Sequence, residues 1–350
     1  MIQIQTLDSN LYLENDSTSA DTSLITYATL TQDFLSSLDQ LEIEARCNEI
    51  LEIRETFRPF IETIKINDPF YSRLKEASIK VLDNGTYCLN HLVPVSQGIS
   101  GTYFFEKQFV IKPFDEEAGC LNNPKIFRGI DKINFIRDNI PLYRSSMREA
   151  LAYQVALSSS VGEVVPNTKL AIVQSSEFHD YKEGISTQEK LCSIQEYVPN
   201  SKTLFEAIWD LESQGLTKED ICTRFDQNDF ENINLLIWIT YDTDAHMGNI
   251  LAYPKENGIF GLKKIDNGLT FPDSNNTLIN CLTAFKQSKE PLSVSMKEKI
   301  AALNAEDLAE KLKIYGLESG IPALRERIAL LQEYALIDNI TIKALNKRLS

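Results

Sequence analysis

Between residues 38 and 64 the apolar positions Leu41, Ile43, Ala45, Ile50, Leu51, Ile53 and Phe57 recur near helical spacing among Glu and Arg, which predicts an amphipathic helix. Pro59 and Pro69 punctuate its far end. Such a stripe suits packing on a main body; a partner-binding helix is the alternative. Residues 1–30, rich in Ser, Thr, Asp and Asn, show no sustained period and predict a loosely ordered start. From residue 87 the period shortens: 87–95, 103–105 and 109–111 read as strands, the first preceded by an Asn84-Gly85 turn. Residues 145–158 return to helical spacing, with Met147, Leu151, Val155 and Ala156 on one side, and 170–173 and 193–198 read as strands. From Thr203 the pattern is mostly helical, with Asn304 and Pro322 at helix starts near the end. One exception lies at 241–272, where apolar runs 250–253 and 262–265 flank turn residues and predict a β-hairpin. The predicted fold class is α+β and bilobal: a helical extension (1–75), a β-rich lobe with one central helix (76–198) and a helical lobe (199–350).

Length agrees, since 350 residues suit two packed lobes with an appendage. Hydrophobic residues at 43% and charged residues at 24% fit a soluble globular protein. The net charge of -15 argues against holding nucleic acid or an anionic membrane by bulk electrostatics. No window of about 18 apolar residues predicts a membrane span, and the first residues lack a signal peptide's basic flank and apolar centre. A cytoplasmic location is therefore expected. Cys47, Cys88, Cys120, Cys192, Cys222 and Cys281 scatter without a CxxC pair, which predicts reduced thiols rather than zinc ligands or disulfides.

In an antiparallel hairpin, the residue before the first strand lies beside the residue after the second. Here those residues are Asn249 and Asp266, and Asp244 precedes them in a loop ending a predicted helix over 232–239. Three oxygen-bearing side chains at one end of a ribbon suit Mg2+ or Mn2+, which share hard oxygen ligands with substrate phosphates. The order Asp-x-x-x-x-Asn, strand pair, Asp-x-Gly is that of protein-kinase-like enzymes. In that scheme Asp244 handles the acceptor hydroxyl, while Asn249 and Asp266 hold metal. Singly, each would be an ordinary turn residue; the joint pattern carries the expectation. Upstream, Gly98, Ser100, Gly101 and Thr102 lie between two strands, where backbone N–H groups can approach the phosphates of ATP. Lys112, at the end of the next strand, can reach the same phosphates. A plain hairpin turn and a solvated lysine are the alternatives. Glu149 is expected to pin Lys112, against a surface pair with Arg148 or Arg144. Glu196, Tyr197 and Val198 end a strand between the lobes and are expected to meet adenine through their backbone; an edge strand ending at Pro199 is the alternative. His246 is expected to stabilise its loop by a hydrogen bond in preference to binding phosphate.

These residues lie within a longer likeness. GISGTYFF, FVIKPFDEEAG with LNNPK, VVPNTKLAIV, SIQEYV, DTD with Asn249, KKIDNGLTFP and KEPLS occur in that order over about residues 95–300. They resemble the phosphatidylinositol 3-/4-kinase superfamily, most of all its type II phosphatidylinositol 4-kinases. The resemblance implies a protein-kinase-like fold with Lys112 on the α- and β-phosphates, Asp244 as catalytic carboxylate, and Asn249 and Asp266 as metal ligands. That family's cysteine-rich segment has no counterpart here. The stretch after Pro272, DSNNTLINCLTAFKQS, carries one Phe and one Lys where the family is aromatic and basic, so stable membrane anchoring is not expected. The expected function is an ATP- and Mg- or Mn-dependent kinase with a phosphoinositide or protein acceptor. A catalytically dead or weak kinase-fold module acting through its helical extension is the alternative. The abundance of Asn, Ile, Ser and Lys suits an AT-rich bacterial genome, where such a kinase would be a secreted effector in the host-cell cytosol.

Overall fold

The computed structural model describes residues 40–65, 68–125, 139–180, 189–275 and 278–350; the start expected to be loosely ordered lies outside the described residues. Helix α1 (Gln40–Ile64) covers the stretch predicted to be helical and runs through Pro59. A proline removes one intrahelical hydrogen bond, but Phe57 and Ile61 on either side are buried and hold the helix against the core. Pro69 opens the next helix, α2 (Pro69–Ala77), where Asp68 caps the Phe70 N–H.

The first lobe is built on β1 (Lys80–Val81), β2 (Tyr87–Cys88), β3 (Val93–Pro94), β4 (Tyr103–Phe105), β5 (Phe109–Pro113), β6 (Thr168–Gln174) and β7 (Glu189–Glu196), in the spatial order β1-β2-β6-β7-β5-β4-β3. Residues 87–95 are thus not one strand. β2 and β3 lie at opposite flanks of the sheet, and the chain crosses between them at His91, whose φ is 63°. Leu89 and Leu92 are buried in that crossing, so its apolar content mimics a strand. Elsewhere alternation is obeyed. Phe109, Ile111, Ala171, Val173, Cys192 and Ile194 pack with Phe70, Tyr71 and Leu74 of α2. Leu170, Ile172 and Leu191 face the opposite way, into the core that contains α3 (Ser145–Ser158).

That core continues into the helical lobe: α4 (Leu204–Ser213), α5 (Lys218–Cys222), α6 (Gln227–Thr240), α7 (Val294–Ala301), α8 (Ala305–Ile314), α9 (Ile321–Ala335) and α10 (Ile342–Leu349). Helix α6 is buried nearly all round, as a central helix must be. A small sheet joins β8 (Lys202–Thr203), β9 (Ile250–Pro254) and β10 (Phe260–Lys264), with Ile250 opposite Lys264. The hairpin forms, while β8 is too short for any sequence period to reveal. The architecture is the bilobal α+β arrangement that the pattern predicts. No described helix is long and apolar enough to cross a membrane.

Candidate active site

The hairpin ladder extends one step past its strands, because the Ile265 N–H donates to the Asn249 carbonyl at 3.0 Å. Asp266 follows immediately, at φ 57°, a left-handed conformation that aspartate adopts more readily than most non-glycine residues. Asn249 gives its Nδ2 to the Asp244 carbonyl (2.9 Å) and Oδ2 (3.2 Å). No described residue donates to Asn249 Oδ1. Asp244 and Asn249 are therefore in direct contact, and Asp266 sits beside them at the ribbon's end. His246 Nδ1 accepts from the Gly248 N–H at 3.0 Å, and its Nε2 lies 3.7 Å from Asp244 Oδ2.

Strand alternation aims Lys112 away from the face that buries Phe109 and Ile111. Its Nζ binds Glu149 Oε1 of α3 and lies 3.0 Å from Asp266 Oδ1. The other Glu149 oxygen accepts from the Asn267 N–H at 3.0 Å, so one buried carboxylate fixes both the lysine and the backbone after Asp266. Burial alone would lower the Lys112 pKa, but Asp266 and then Glu149 outweigh it and hold the amine above the ordinary lysine value. Conversely, the Lys112 cation holds Asp266 below the usual aspartate range. The alternative surface pairing of Glu149 with Arg148 or Arg144 is not what forms: Arg148 is buried and donates to the Pro141 carbonyl at 3.0 Å, and Arg144 donates to the Tyr143 carbonyl.

Two expected groups of nucleotide contacts are narrower than predicted. The Gly101 N–H is already given to the Glu116 carbonyl at 2.8 Å, and a Cβ at Gly101 would lie 2.1 Å from Glu116 Oε2. Glycine is required there by packing against Glu116 rather than by phosphate approach. Thr102 turns its carbonyl to the Val95 N–H at 2.8 Å. Gly98, at φ 79°, shapes the open end of the turn, which leaves Gly98 and Ser100 as the residues at its tip. In the strand between the lobes, the Glu196 N–H is taken by the Asn167 carbonyl (2.9 Å) and the Tyr197 N–H by the Gln108 carbonyl (2.8 Å). Only Val198 keeps a backbone N–H without a partner among the described residues.

Sequence reasoning missed several supports. Lys125 donates to the Gln97 and Gly98 carbonyls at 2.7 and 2.8 Å, tying the glycine turn from beneath. Burial lowers its pKa, and the Asp266 carboxylate opposes that. Asn123 donates to the Ile99 carbonyl at 2.9 Å, and Asn122 to Asp115 Oδ2 at 2.7 Å, so the DEE and LNN stretches interlock. Buried Lys190 pairs with both Asp115 (3.0 Å) and Glu116 (2.9 Å). Below the site, buried Lys264 lies 2.8 Å from buried Asp242, close enough to pair though outside hydrogen-bond alignment on that oxygen. Lys264 also donates to the Ile265 carbonyl at 2.7 Å, while Asp242 Oδ1 accepts from the Asp244 N–H at 2.8 Å. The signal that could have found them is the density of charges within otherwise apolar segments, which demands internal partners.

The donor set fits a hard divalent cation: the Asn249 oxygen has no partner among the described residues, and the Asp266 side chain is 54% exposed at the cleft.

No family model matches the chain. It is 26% identical over 254 residues to phosphatidylinositol 4-kinase gamma 4 of Arabidopsis thaliana, covering 68% of this chain and 42% of that protein. Phosphatidylinositol 4-kinase gamma 7 of the same plant is 28% identical over 200 residues, covering 52% and 28%. Gamma 3 is 24% identical over 280 residues, covering 74% and 46%. The matches span less than half the length of these curated relatives. The crystal structure of the Helicobacter pylori proinflammatory kinase CtkA is similar at a TM-score of 0.40 and 10% identity, over 73% of this chain and 100% of that one, too slight a likeness to build on. In sequence the chain is similar to phosphatidylinositol 4-kinases, and its sheet lobe and helical lobe share one continuous core.

Proposed function

We propose that the chain is an ATP-dependent kinase that uses Mg2+ or Mn2+ to pass the γ-phosphoryl group to a hydroxyl of a phosphoinositide or a protein. The observation that carries this is the Lys112 amine held between Glu149 and Asp266, beside the Asp244–Asn249 pair. Lys112 would meet nucleotide phosphates, and Glu149 would keep it extended. Gly98 and Ser100 would lie over the phosphates, and the Val198 N–H would meet adenine. Asp244 would hold the acceptor hydroxyl in line and take its proton. Asn249 and Asp266 would hold the cation, which supplies charge neutralisation at the β- and γ-phosphates. Catalysis by positioning and charge needs little else.

The relatives' names favour a phosphoinositide acceptor. The segment after Asp266 favours a protein: Leu282, Phe285 and Ser288 are buried in the helical lobe rather than offered to a membrane. A cytoplasmic site of action, or the host cytosol for a secreted effector, belongs to the same proposal. Labelled ATP with Mg2+ or Mn2+, offered separately with phosphatidylinositol vesicles and with protein lysate, separates the acceptors. Asp266→Ala is expected to abolish labelling while the thermal midpoint stays within a few degrees. Asp244→Asn is expected to suppress turnover and spare nucleotide binding. No turnover and no metal-dependent nucleotide binding in the unaltered chain would sink the proposal and favour the dead-module alternative.

A further inference from the structure

On the helical lobe, the turn Lys286–Lys289 and helix α10 border an open hollow of about 410 Å3 lined by Thr283, Lys289, Thr341, Lys343, Asn346 and Lys347. None of its three lysines has an ion-pair partner among the described residues. Their placement is electrostatically mixed: Lys347 stands in the last turn of α10, where the helix dipole favours a cation. Lys343 and Lys347 stand one turn apart on one face of α10, where like charges repel. Lys343 is also in the first turn, after the Thr341 cap, at the end of the helix dipole that disfavours cations. In a chain with a net charge of -15, carboxylates to offset them are abundant, yet no described residue supplies one within ion-pair distance.

We infer that this hollow binds a compact ligand carrying two or more phosphate groups, free in solution or as the headgroup of a membrane lipid. Three ammonium groups around one concavity match a small, dense polyanion; an extended chain would need a groove. The Thr341 oxygen accepts from the Ala344 N–H, which leaves its hydroxyl proton to donate. Asn346 accepts from the Trp238 indole N–H at 3.0 Å and from Asn280 Nδ2 at 3.1 Å. The next residue, Cys281, donates its N–H to the Ala245 carbonyl at 3.0 Å, beside Asp244. The wall of the hollow therefore reaches the candidate catalytic loop through a short polar path, and Trp238 reports on it. The inference stands independently of the kinase proposal.

The test uses the full chain carrying Trp209→Phe, so that Trp238 is the remaining one of two tryptophans. Inorganic pyrophosphate is titrated at low salt, where exposed charges are least screened, with indole emission and calorimetry as readouts. Saturable binding is expected, weakened at least tenfold by Lys289→Ala/Lys343→Ala/Lys347→Ala and retained in Lys112→Met. A thermal melt confirms that the triple variant is folded. Binding lost in Lys112→Met but kept in the triple variant would place the anion in the interlobe cleft and overturn the inference. Neither heat nor an emission change up to millimolar pyrophosphate overturns it too, as does tight binding of a polyglutamate peptide without any pyrophosphate response. Sedimentation with vesicles containing phosphatidylinositol 4,5-bisphosphate, dependent on the same lysines, would identify the lipid headgroup as the source. Pyrophosphate binding without sedimentation identifies a free ligand.

Discussion

Replacing Lys264 by Met removes the cation that lies 2.8 Å from Asp242, at side-chain exposures of 0% and 1%. Breaking a buried pair by deleting one partner costs about 3–5 kcal/mol, because the other charge stays buried and uncompensated. Against a total stability of roughly 5–15 kcal/mol, that is a large fraction. For a cooperative unit of lobe size it lowers the thermal midpoint by about 6–20 °C. Adding Asp242→Leu removes the stranded carboxylate, and a buried pair replaced by apolar groups of similar volume is close to neutral. The double variant is therefore expected to recover at least half of the lost stability. Function is expected not to return with it. Asp242 Oδ1 is the acceptor for the Asp244 N–H, and the Lys264 amine binds the Ile265 carbonyl just before Asp266. Stability is measured by urea unfolding, and function by metal-dependent nucleotide binding, in both variants. A single variant within about 1 kcal/mol of the parent would mean that water reaches this pair, and the reasoning would fail.

Lys125→Ala removes a cation that lies close enough to Asp266 to influence it, and is expected to raise the KM for ATP about tenfold, the equivalent of one charge-assisted hydrogen bond; an unchanged KM contradicts a role at the phosphates. Gly101→Ala drives a Cβ to within 2.6 Å of Glu116 Cβ and should destabilise the sheet lobe by about 1–3 kcal/mol in denaturant melts. Because Lys112 holds Asp266 below the ordinary carboxylate range, their pairing contributes fully above about pH 4 and fades as pH falls through the Asp266 value. On the alkaline side the raised Lys112 keeps its contribution below the ordinary lysine value and loses it only beyond. The difference between the parent's and Lys112→Met's thermal midpoints should thus be flat across neutral pH and shrink only at the two extremes.

Period and spacing revealed the lobes, the hairpin and the contact between Asp244 and Asn249, because each depends on residues near in sequence or on strand alternation. Lys112 meeting Glu149 spans 37 positions and was legible only through the protein-kinase-like order of a lysine on a strand and a glutamate early in the next helix, since no local period relates them. What stayed hidden depends on long-range folding. The crossing at His91 looks like strand because buried loops and strands share apolar composition. The occupied N–H groups of Gly101, Glu196 and Tyr197 follow from Glu116, Asn167 and Gln108 arriving from elsewhere. The Lys264–Asp242 pair joins the end of β10 to the loop after α6, which no periodicity relates.

Helix α1 touches both lobes at once. Arg54 and Arg58 bond the Glu189 carbonyl (3.0 Å) and carboxylate (3.1 Å) in the sheet lobe, while Phe60 stacks edge-on against Tyr315 of the helical lobe at 5.5 Å. Parting the lobes would break one of these two sets of contacts, which a single stretch of one helix makes. If the chain binds a nucleotide as proposed, loosening Phe60 is expected to speed its exchange without altering any atom that the nucleotide would touch.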